Sequence, residues 1–164
     1  MVKFIDAGIP EIPAIQDIAE RTWWPTFSKI LSKEQIRYMI DALYSTEVIS
    51  ETMSDGSQRY LLLSDHSGPQ GYASFGRRKE EQEVAKLHKL YVLPENQGKG
   101  YGRLLIEEVK RRLTNENIRI LDLNVNRFNK AKDFYEKMGF SVLREEDVPI
   151  GPYWMNDFVM RLQF

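Results

Sequence analysis

A run of spaced glycines near the middle of the chain has the composition of an anion-binding turn. It occupies residues 97–103, QGKGYGR, between an apolar strand that ends before Pro94 and the start of a helix. The first N–H groups of a helix have no partner inside it, and the helix dipole places partial positive charge there. The segment therefore predicts a site for a phosphate-bearing ligand. Its glycines are Gly98, Gly100 and Gly102, and two cations, Lys99 and Arg103, flank them.

The spacing of these glycines does not match the two common nucleotide motifs. The pattern GxxxxGK[ST] is absent, and the segment is neither GxGxxG nor part of an opening strand–helix–strand unit. No acidic residue follows at the spacing that contacts a ribose in dinucleotide-binding folds. A nucleotide-binding regulatory domain is therefore disfavoured.

Composition indicates one domain over residues 1–164 and narrows the function classes. The net charge of −1 argues against nucleic acid as a partner. The chain has no cysteine, which excludes a thiolate nucleophile, and His66 and His88 are too far apart to indicate a metal site. Neither a signal peptide nor an apolar run long enough to cross a membrane is present. We expect a cytoplasmic protein that binds no membrane.

Apolar periodicity predicts a mixture of strands and helices typical of the α/β (α+β) class. The unit 83–125, strand–helix–strand, is expected to be a parallel crossover, and the rest of the sheet antiparallel. The predicted strands are 3–6, 59–64, 71–77, 83–93, 118–125, 140–144 and 156–162, and the four predicted helices are 10–22, 33–43, 103–113 and 131–138.

Three further local features are predicted. Residues 23–27, WWPTF, read as an aromatic loop, and residues 45–57 as a helical turn followed by a loop. Residues 147–156 contain Pro and Gly and read as a loop between the last two strands. Leu87 and Leu90 are both apolar although they should lie on opposite faces of a regular strand, which indicates a β-bulge between them.

The segment QGKGYG fits the Q/R-x-x-G-x-G/A signature of the Gcn5-related N-acetyltransferases (GNAT). The resemblance extends over LYVLPENQGKGYGRLLIEEV, which is similar to the family's fourth strand, pyrophosphate turn and third helix. It continues over LDLNVNRFNKAKDFYEKMGF, which is similar to the fifth strand and fourth helix. The order of the remaining elements also fits, so the resemblance covers essentially the whole chain. It implies a central sheet of about seven strands, splayed between strands four and five, with about four helices.

The resemblance also implies that acetyl-coenzyme A occupies the V-shaped opening between those two strands. The backbone of Leu90, Tyr91 and Val92 would pair with the pantetheine arm like an added strand, and one N–H there would polarise the thioester carbonyl. Asn129 and Lys137 match positions that contact the cofactor. The turn that would hold the pyrophosphate comprises Gln97, Gly98, Lys99, Gly100, Tyr101, Gly102 and Arg103.

The acid and the base of the reaction are also implied by position. Tyr135 matches the family tyrosine that protonates the departing thiolate, although from its apolar helical stripe alone it would be a core residue. His88 lies where some relatives carry a glutamate base, and a histidine is suited to accept a proton near neutral pH. A satisfied strand histidine is the alternative, and Glu83 is a weaker candidate for the base.

The acceptor site is expected on the side of the V opposite the cofactor. Aromatic residues there would form an amine-binding cage, or equally serve as core or as a homodimer contact. The segment IGPYWMNDFVMRL is similar to the tail of small bacterial spermidine/spermine-type acetyltransferases, and nearby acidic groups would attract a polycation. The aromatic candidates are Trp23, Trp24, Phe27, Tyr153 and Trp154, with Asn156 beside them, and the acidic residues are Glu145, Glu146, Asp147 and Asp157.

Together these features predict an acetyl-CoA-dependent N-acetyltransferase that acts on a small primary amine by direct attack. The absence of cysteine is consistent with a mechanism that forms no acyl-enzyme. Peptide N-termini or lysines are the alternative acceptors. A non-catalytic acyl-CoA-binding sensor is the alternative from another class.

Overall fold

The computed structural model describes residues 1–164, which form five α-helices and seven β-strands. The helices are α1 Ile12–Phe27, α2 Lys33–Leu43, α3 Thr46–Ser54, α4 Tyr101–Asn115 and α5 Ala131–Lys137. The strands are β1 Lys3–Ala7, β2 Arg59–Asp65, β3 Gly68–Arg77, β4 Val84–Val92, β5 Ile120–Asn126, β6 Ser141–Ile150 and β7 Tyr153–Gln163. No helix is both long enough and apolar enough to cross a membrane.

All seven strands belong to one sheet, in the order β1-β2-β3-β4-β5-β7-β6. Neighbouring strands are antiparallel except β4 and β5, which α4 connects as a parallel crossover. This confirms the predicted mixed, mostly antiparallel α/β (α+β) fold. Helices α4 and α5 cover one face of the sheet and α1, α2 and α3 cover the other, so the sheet separates two cores, the α4–α5 core and the α1–α3 core.

Strands β4 and β5 separate partway along their length. They are paired only from Val84 to Leu87 on β4, opposite Ile120 to Leu123 on β5. Beyond Leu87, β4 continues to Val92 and β5 continues to Asn126 without pairing to each other. The predicted splay is confirmed, and it leaves the backbone of β4 with a free edge toward the gap.

The predicted bulge lies in β4 at His88. Leu87 pairs with Phe75 of β3 and Lys89 pairs with Ser74, so His88 is the extra residue between them. The insertion lets Leu87 and Leu90 both pack into the α4–α5 core, while Lys89 and Tyr91 turn to the other face. A bulge re-aims the side chains of a strand, and here it does so beside the gap.

The prediction of an aromatic loop at residues 23–27 is wrong, because these residues form the last turns of α1. Pro25 suggested a break, since proline inside a helix costs about 3 kcal/mol. Trp23 and Phe27, however, are both buried, and burial of a large apolar side chain contributes about 1.5–3 kcal/mol. Two such side chains one helical turn apart offset the cost of the proline.

Residues 46–54 form a full helix, α3, so the chain has five helices where four were expected. The hydroxyl of Ser45 caps it by accepting a bond from the N–H of Val48 at 3.2 Å, and Ile49 anchors it in the α1–α3 core. The prediction of a helical turn followed by a loop did not take this cap into account.

The predicted loop at residues 147–156 is also wrong, because β6 and β7 form a long hairpin with its turn at Gly151 and Pro152. Val148 and Met155, paired across the hairpin, pack into the α1–α3 core. Gly151 has φ +59°, and Tyr38 of α2 fills the space that a side chain there would need. The tip of the hairpin therefore lies against α2.

Candidate active site

The glycine turn has the geometry that a phosphate group requires. Gly98 and Gly100 have φ of +88° and +83°, and a β-carbon at either position would meet no atom within 4 Å. Helix α4 begins at Tyr101 with no side-chain cap, and its first internal bond runs from the N–H of Leu104 to the oxygen of Gly100 at 3.1 Å. The N–H groups of residues 101–103 therefore have no partner within the helix and can donate to an anion.

The side chains of the turn hold its shape rather than fill the opening. Gln97 donates to the carbonyl of Val92 at 3.3 Å, Lys99 donates to Asn96 at 2.8 Å, and the Tyr101 hydroxyl donates to Asp65 at 2.7 Å. Gly102 packs against the ring of Phe134, where a β-carbon would lie 3.2 Å from it, so α4 approaches α5 closely. Arg103 is exposed beside the turn. The backbone is therefore the part of the turn left free for a ligand.

Asn129 and Lys137 lie at the two ends of α5. The Asn129 side-chain oxygen accepts a hydrogen bond from the N–H of Ala131 at 2.9 Å, which leaves the amide nitrogen available as a donor. Lys137 is exposed in the last residue of the helix. Asn129 thus has a fixed orientation, whereas nothing in the protein fixes Lys137.

Tyr135 is held firmly in α5. Its ring packs against Phe134 and Phe140, with centroids at 5.5 and 5.7 Å, and only 8% of the residue is exposed. Burial, and to a lesser degree the nearby Tyr91, raise the pKa of Tyr135 well above its usual range. The hydroxyl is therefore protonated at neutral pH and able to donate.

His88 occupies the bulge, and the residue keeps part of its surface open to solvent. Neighbouring atoms still displace much of the water around the imidazole, and this loss of hydration, followed by repulsion from Lys86, Lys89 and Arg78, lowers the pKa of His88 to about 3. The imidazole is therefore neutral at pH 7 but a weak base. Glu83, the weaker candidate, is exposed and precedes β4, at the end of the strand opposite the gap.

The structure does not bring the five predicted acceptor-site aromatics into one cage. Trp23 and Phe27 stack on each other at 4.4 Å inside the core, with exposures of 2% and 4%. Trp24 is partly exposed and donates to Glu20 at 3.0 Å, while Tyr153 packs on Tyr38 at 5.4 Å. Trp154 is 57% exposed on the outer side of the hairpin, and Asn156 is also exposed.

The four acidic residues of the last two strands fall into two groups. Glu145 and Asp147 are exposed and lie 3.8 and 2.8 Å from the guanidinium of Arg127. The side-chain amide of Asn124 on β5 donates to the other two, Glu146 at 3.1 Å and Asp157 at 3.2 Å.

Asp157 is the acidic side chain that stands out in the second group. It is 7% exposed and has no ion-pair partner within 4 Å, and burial raises the pKa of its carboxyl. Asn124 was not predicted as a site residue. The signal was present in LDLNVN, where polar residues alternate with apolar ones along a strand flanking the gap.

A second group that the sequence did not single out lies under the gap on the α1–α3 side. The indole N–H of Trp23 donates to the hydroxyl of Tyr44 at 2.9 Å, and that hydroxyl donates to the hydroxyl of Tyr91 at 2.9 Å. Tyr91 was predicted for its backbone alone. These residues come from α1, the α2–α3 connection and β4, so no local pattern joins them.

Comparison with known proteins identifies the family of this chain. Residues 27–155 match the acetyltransferase (GNAT) domain family, and the chain belongs to that family. It is accordingly an N-acetyltransferase that uses acetyl-CoA.

Individual relatives cover most of the chain. It is 28% identical over 159 residues to a spermidine N(1)-acetyltransferase of Thermoplasma acidophilum, covering 96% of this chain and 94% of the relative. It is 37% identical over 115 residues to the ribosomal protein bS18-alanine N-acetyltransferase of Haemophilus influenzae, covering 70% and 75%. The crystal structure of the PaiA N-acetyltransferase of T. acidophilum in complex with coenzyme A superposes with a TM-score of 0.85 at 25% identity, covering 100% and 99%.

Proposed function

We propose that this enzyme acetylates a primary amine of a small polycationic molecule, of the polyamine class. The observation that carries the proposal is the gap between β4 and β5, which has the open glycine turn at one end and the buried, unpaired carboxylate of Asp157 on its α1–α3 side. The first feature suits acetyl-CoA and the second suits an ammonium group.

In this proposal the cofactor lies along the free edge of β4. The backbone of Leu90, Tyr91 and Val92 pairs with the pantetheine arm, and the turn from Gln97 to Arg103 holds the pyrophosphate through its N–H groups. The open space beside Gly98 and Gly100 supports this assignment. Asn129 contributes its free amide donor, and Lys137 and Arg103 add positive charge near the phosphates.

The bound cofactor supplies an activated acetyl group as a thioester, and the residues around the gap manage charge and protons. The neutral amine attacks the carbonyl carbon, and an N–H of β4 stabilises the negative charge that develops on the carbonyl oxygen. As the carbon–sulfur bond breaks, Tyr135 gives its proton to the departing sulfur. The Tyr135 hydroxyl is protonated at neutral pH, and water returns a proton to it after the transfer.

The proton lost by the amine goes to water in this proposal, rather than to His88. An imidazole with a pKa of about 3 is a poor acceptor for a proton from an ammonium group. His88 directly follows Leu87, the last residue of β4 that pairs with β5, so substitution of His88 is the direct test of this choice.

A polyamine is favoured over other amines by charge. Asp157 is buried without an ion-pair partner, so an ammonium group would compensate it. A second carboxylate, Glu146, shares Asn124 with Asp157 and is itself paired with Arg144 at 3.3 Å, so it adds negative charge that would attract a further ammonium group. The Thermoplasma relative is named for spermidine, which supports this class. A peptide amine is the second candidate, because the Haemophilus relative is named for the alanine of a ribosomal protein.

The test is thiol release from acetyl-CoA in the presence of spermidine, spermine, lysine, an aminoglycoside and an alanyl peptide. The proposal predicts the largest kcat/KM for spermidine or spermine, with the acetylated amine as product. Preference for the peptide would replace the polyamine by a protein acceptor. Coenzyme A binding without thiol release for any amine would indicate a sensor.

A further inference from the structure

A chain of hydrogen bonds with a fixed direction ends at Tyr91. The indole nitrogen of Trp23 can only donate, so the Tyr44 oxygen accepts from it, and the Tyr44 hydroxyl then donates to Tyr91, each at 2.9 Å. Both the Tyr44 and the Trp23 side chains are buried, with exposures of 4% and 2%, so water does not compete for these bonds. The Tyr91 oxygen is therefore held in position by a hydrogen bond from the α1–α3 core.

The Tyr91 hydroxyl still has unused bonding capacity. It makes no hydrogen bond other than the one from Tyr44, so its own O–H and one lone pair remain without a protein partner. Tyr91 as a whole is only partly buried, in contrast to Tyr44 and Trp23. Polarisation along a chain of hydrogen bonds strengthens the bond that its last member makes.

Tyr91 lies on the stretch of β4 that no longer pairs with β5, on the α1–α3 side of the gap. Its ring packs against the α1–α3 core, whereas Tyr135 belongs to the α4–α5 core on the other face of the sheet. Each is nonetheless close enough to matter electrostatically, since Tyr91 contributes after burial to the raised pKa of Tyr135. Asp157 is likewise a contributor, after burial, to the raised pKa of Tyr91.

We propose that the side chain of Tyr91 is a substrate-contacting residue that orients the acceptor amine, with Tyr44 and Trp23 as the residues that position it. The Tyr91 oxygen accepts an N–H of the attacking nitrogen through its free lone pair, and its O–H points toward Asp157. The nitrogen lone pair is then directed across the gap at the thioester carbonyl. This inference rests on the proposed acetyl transfer. It gives the side chain of Tyr91 a role in addition to the one proposed for its backbone.

The aromatic packing around Tyr91 makes a clean test possible. Its ring contacts Tyr72 at 5.7 Å and Tyr44 at 6.2 Å between centroids, and these contacts persist in Tyr91→Phe, which removes only the oxygen. Tyr60→Phe is the matched control. The Tyr60 hydroxyl belongs to the same aromatic cluster and bonds to Thr52, but it takes no part in the hydrogen bonds that join Trp23, Tyr44 and Tyr91.

The experiment measures steady-state kinetics with acetyl-CoA and with the amine, among the five named above, that the wild type acetylates fastest. The enzymes compared are the full-length wild type, Tyr91→Phe, Tyr44→Phe, the double variant and Tyr60→Phe. Tyr91→Phe should lower kcat/KM for the amine about tenfold to a hundredfold, the loss of one hydrogen bond to a polar or charged group. The KM for acetyl-CoA should not change. Tyr44→Phe should lower the same parameter less, and should add nothing in the Tyr91→Phe background.

Two results would overturn the inference. One is a Tyr91→Phe enzyme as active as Tyr60→Phe, and the other is additive losses from Tyr44→Phe and Tyr91→Phe, which would mean that Tyr44 acts through packing alone. Failure of the proposed function looks different, since the wild type itself would then prefer the peptide to the polyamines or acetylate none of the amines.

Discussion

Tyr91 and Tyr135 approach the same gap from opposite faces of the sheet. Tyr91 extends from β4 over the α1–α3 core, and Tyr135 extends from α5 over the α4–α5 core. Strands β4 and β5 stop pairing after Leu87 and Leu123, which leaves an opening in the sheet between the two faces. The splay thus gives the reaction two sides, one for the departing sulfur and one for the incoming amine.

Tyr135→Phe should lower kcat by about a hundredfold or more, the usual contribution of a positioned general acid. Coenzyme A affinity, measured by calorimetry, should stay close to that of the wild type, because the buried ring is retained. Tyr72→Phe is the control, since it removes a buried hydroxyl that has no hydrogen-bond partner. That control should keep full activity and should not lower the melting temperature. An unchanged kcat in Tyr135→Phe would remove the general acid from the mechanism.

Gly100→Ala should raise the KM for acetyl-CoA by about tenfold, because the added β-carbon would occupy the space left for phosphate and cost at least one charge-assisted hydrogen bond. Gly56→Ala is matched to it, with φ +75° in place of +83° and open space around its β-carbon. Both variants pay about 1–2 kcal/mol for the left-handed backbone. Equal KM values for the two variants would show that the turn does not hold the cofactor.

Asp157→Asn should raise the KM for spermidine while leaving that for acetyl-CoA unchanged, because it removes the buried carboxylate offered to an ammonium group. Asp147→Asn serves as the control, since Asp147 is exposed and already paired with Arg127. If both substitutions had the same small effect, the acidic residues would act only through the general field of the surface.

His88→Ala should leave the shape of the pH–rate profile unchanged between about pH 5 and pH 8. The reason is that the pKa of His88, about 3, keeps the imidazole neutral throughout that range. Loss of an inflection from the profile on substitution would instead identify His88 as the base, and the proton acceptor would no longer be water.

The free energy of unfolding should rise as the pH rises from about 8 to about 10.5, because the buried Lys89 loses its charge. Burial, and then Lys86, lower the pKa of Lys89 from 10.5 to about 8 in the folded chain, so the unfolded chain binds more protons in that window. The gain is about 3 kcal/mol at most. The free energy of unfolding, measured by chemical denaturation across this range, should rise less steeply with pH in Lys89→Met than in the wild type. Identical slopes of that free energy against pH would mean that burial does not disfavour the charged form of Lys89.

Local sequence patterns were sufficient to place the glycine turn before α4 and to predict the parallel crossover between β4 and β5. The glycine turn is a local pattern, and the bulge at His88 left a visible phase shift between Leu87 and Leu90. Pro25 obscured the end of α1, because the apolar contacts that carry the helix through the proline lie elsewhere in the chain. The Tyr44–Tyr91 bond joins residues 47 apart on different elements, so only the folded chain brings it into view.

Initial velocities measured over a grid of acetyl-CoA and spermidine concentrations show whether the acetyl group passes directly to the amine in the β4–β5 gap. Direct transfer predicts intersecting double-reciprocal lines and one acetylspermidine formed, by mass spectrometry, for each thiol released. Parallel lines would indicate a covalent acyl-enzyme. Thiol release without acetylated spermidine would contradict transfer to this amine.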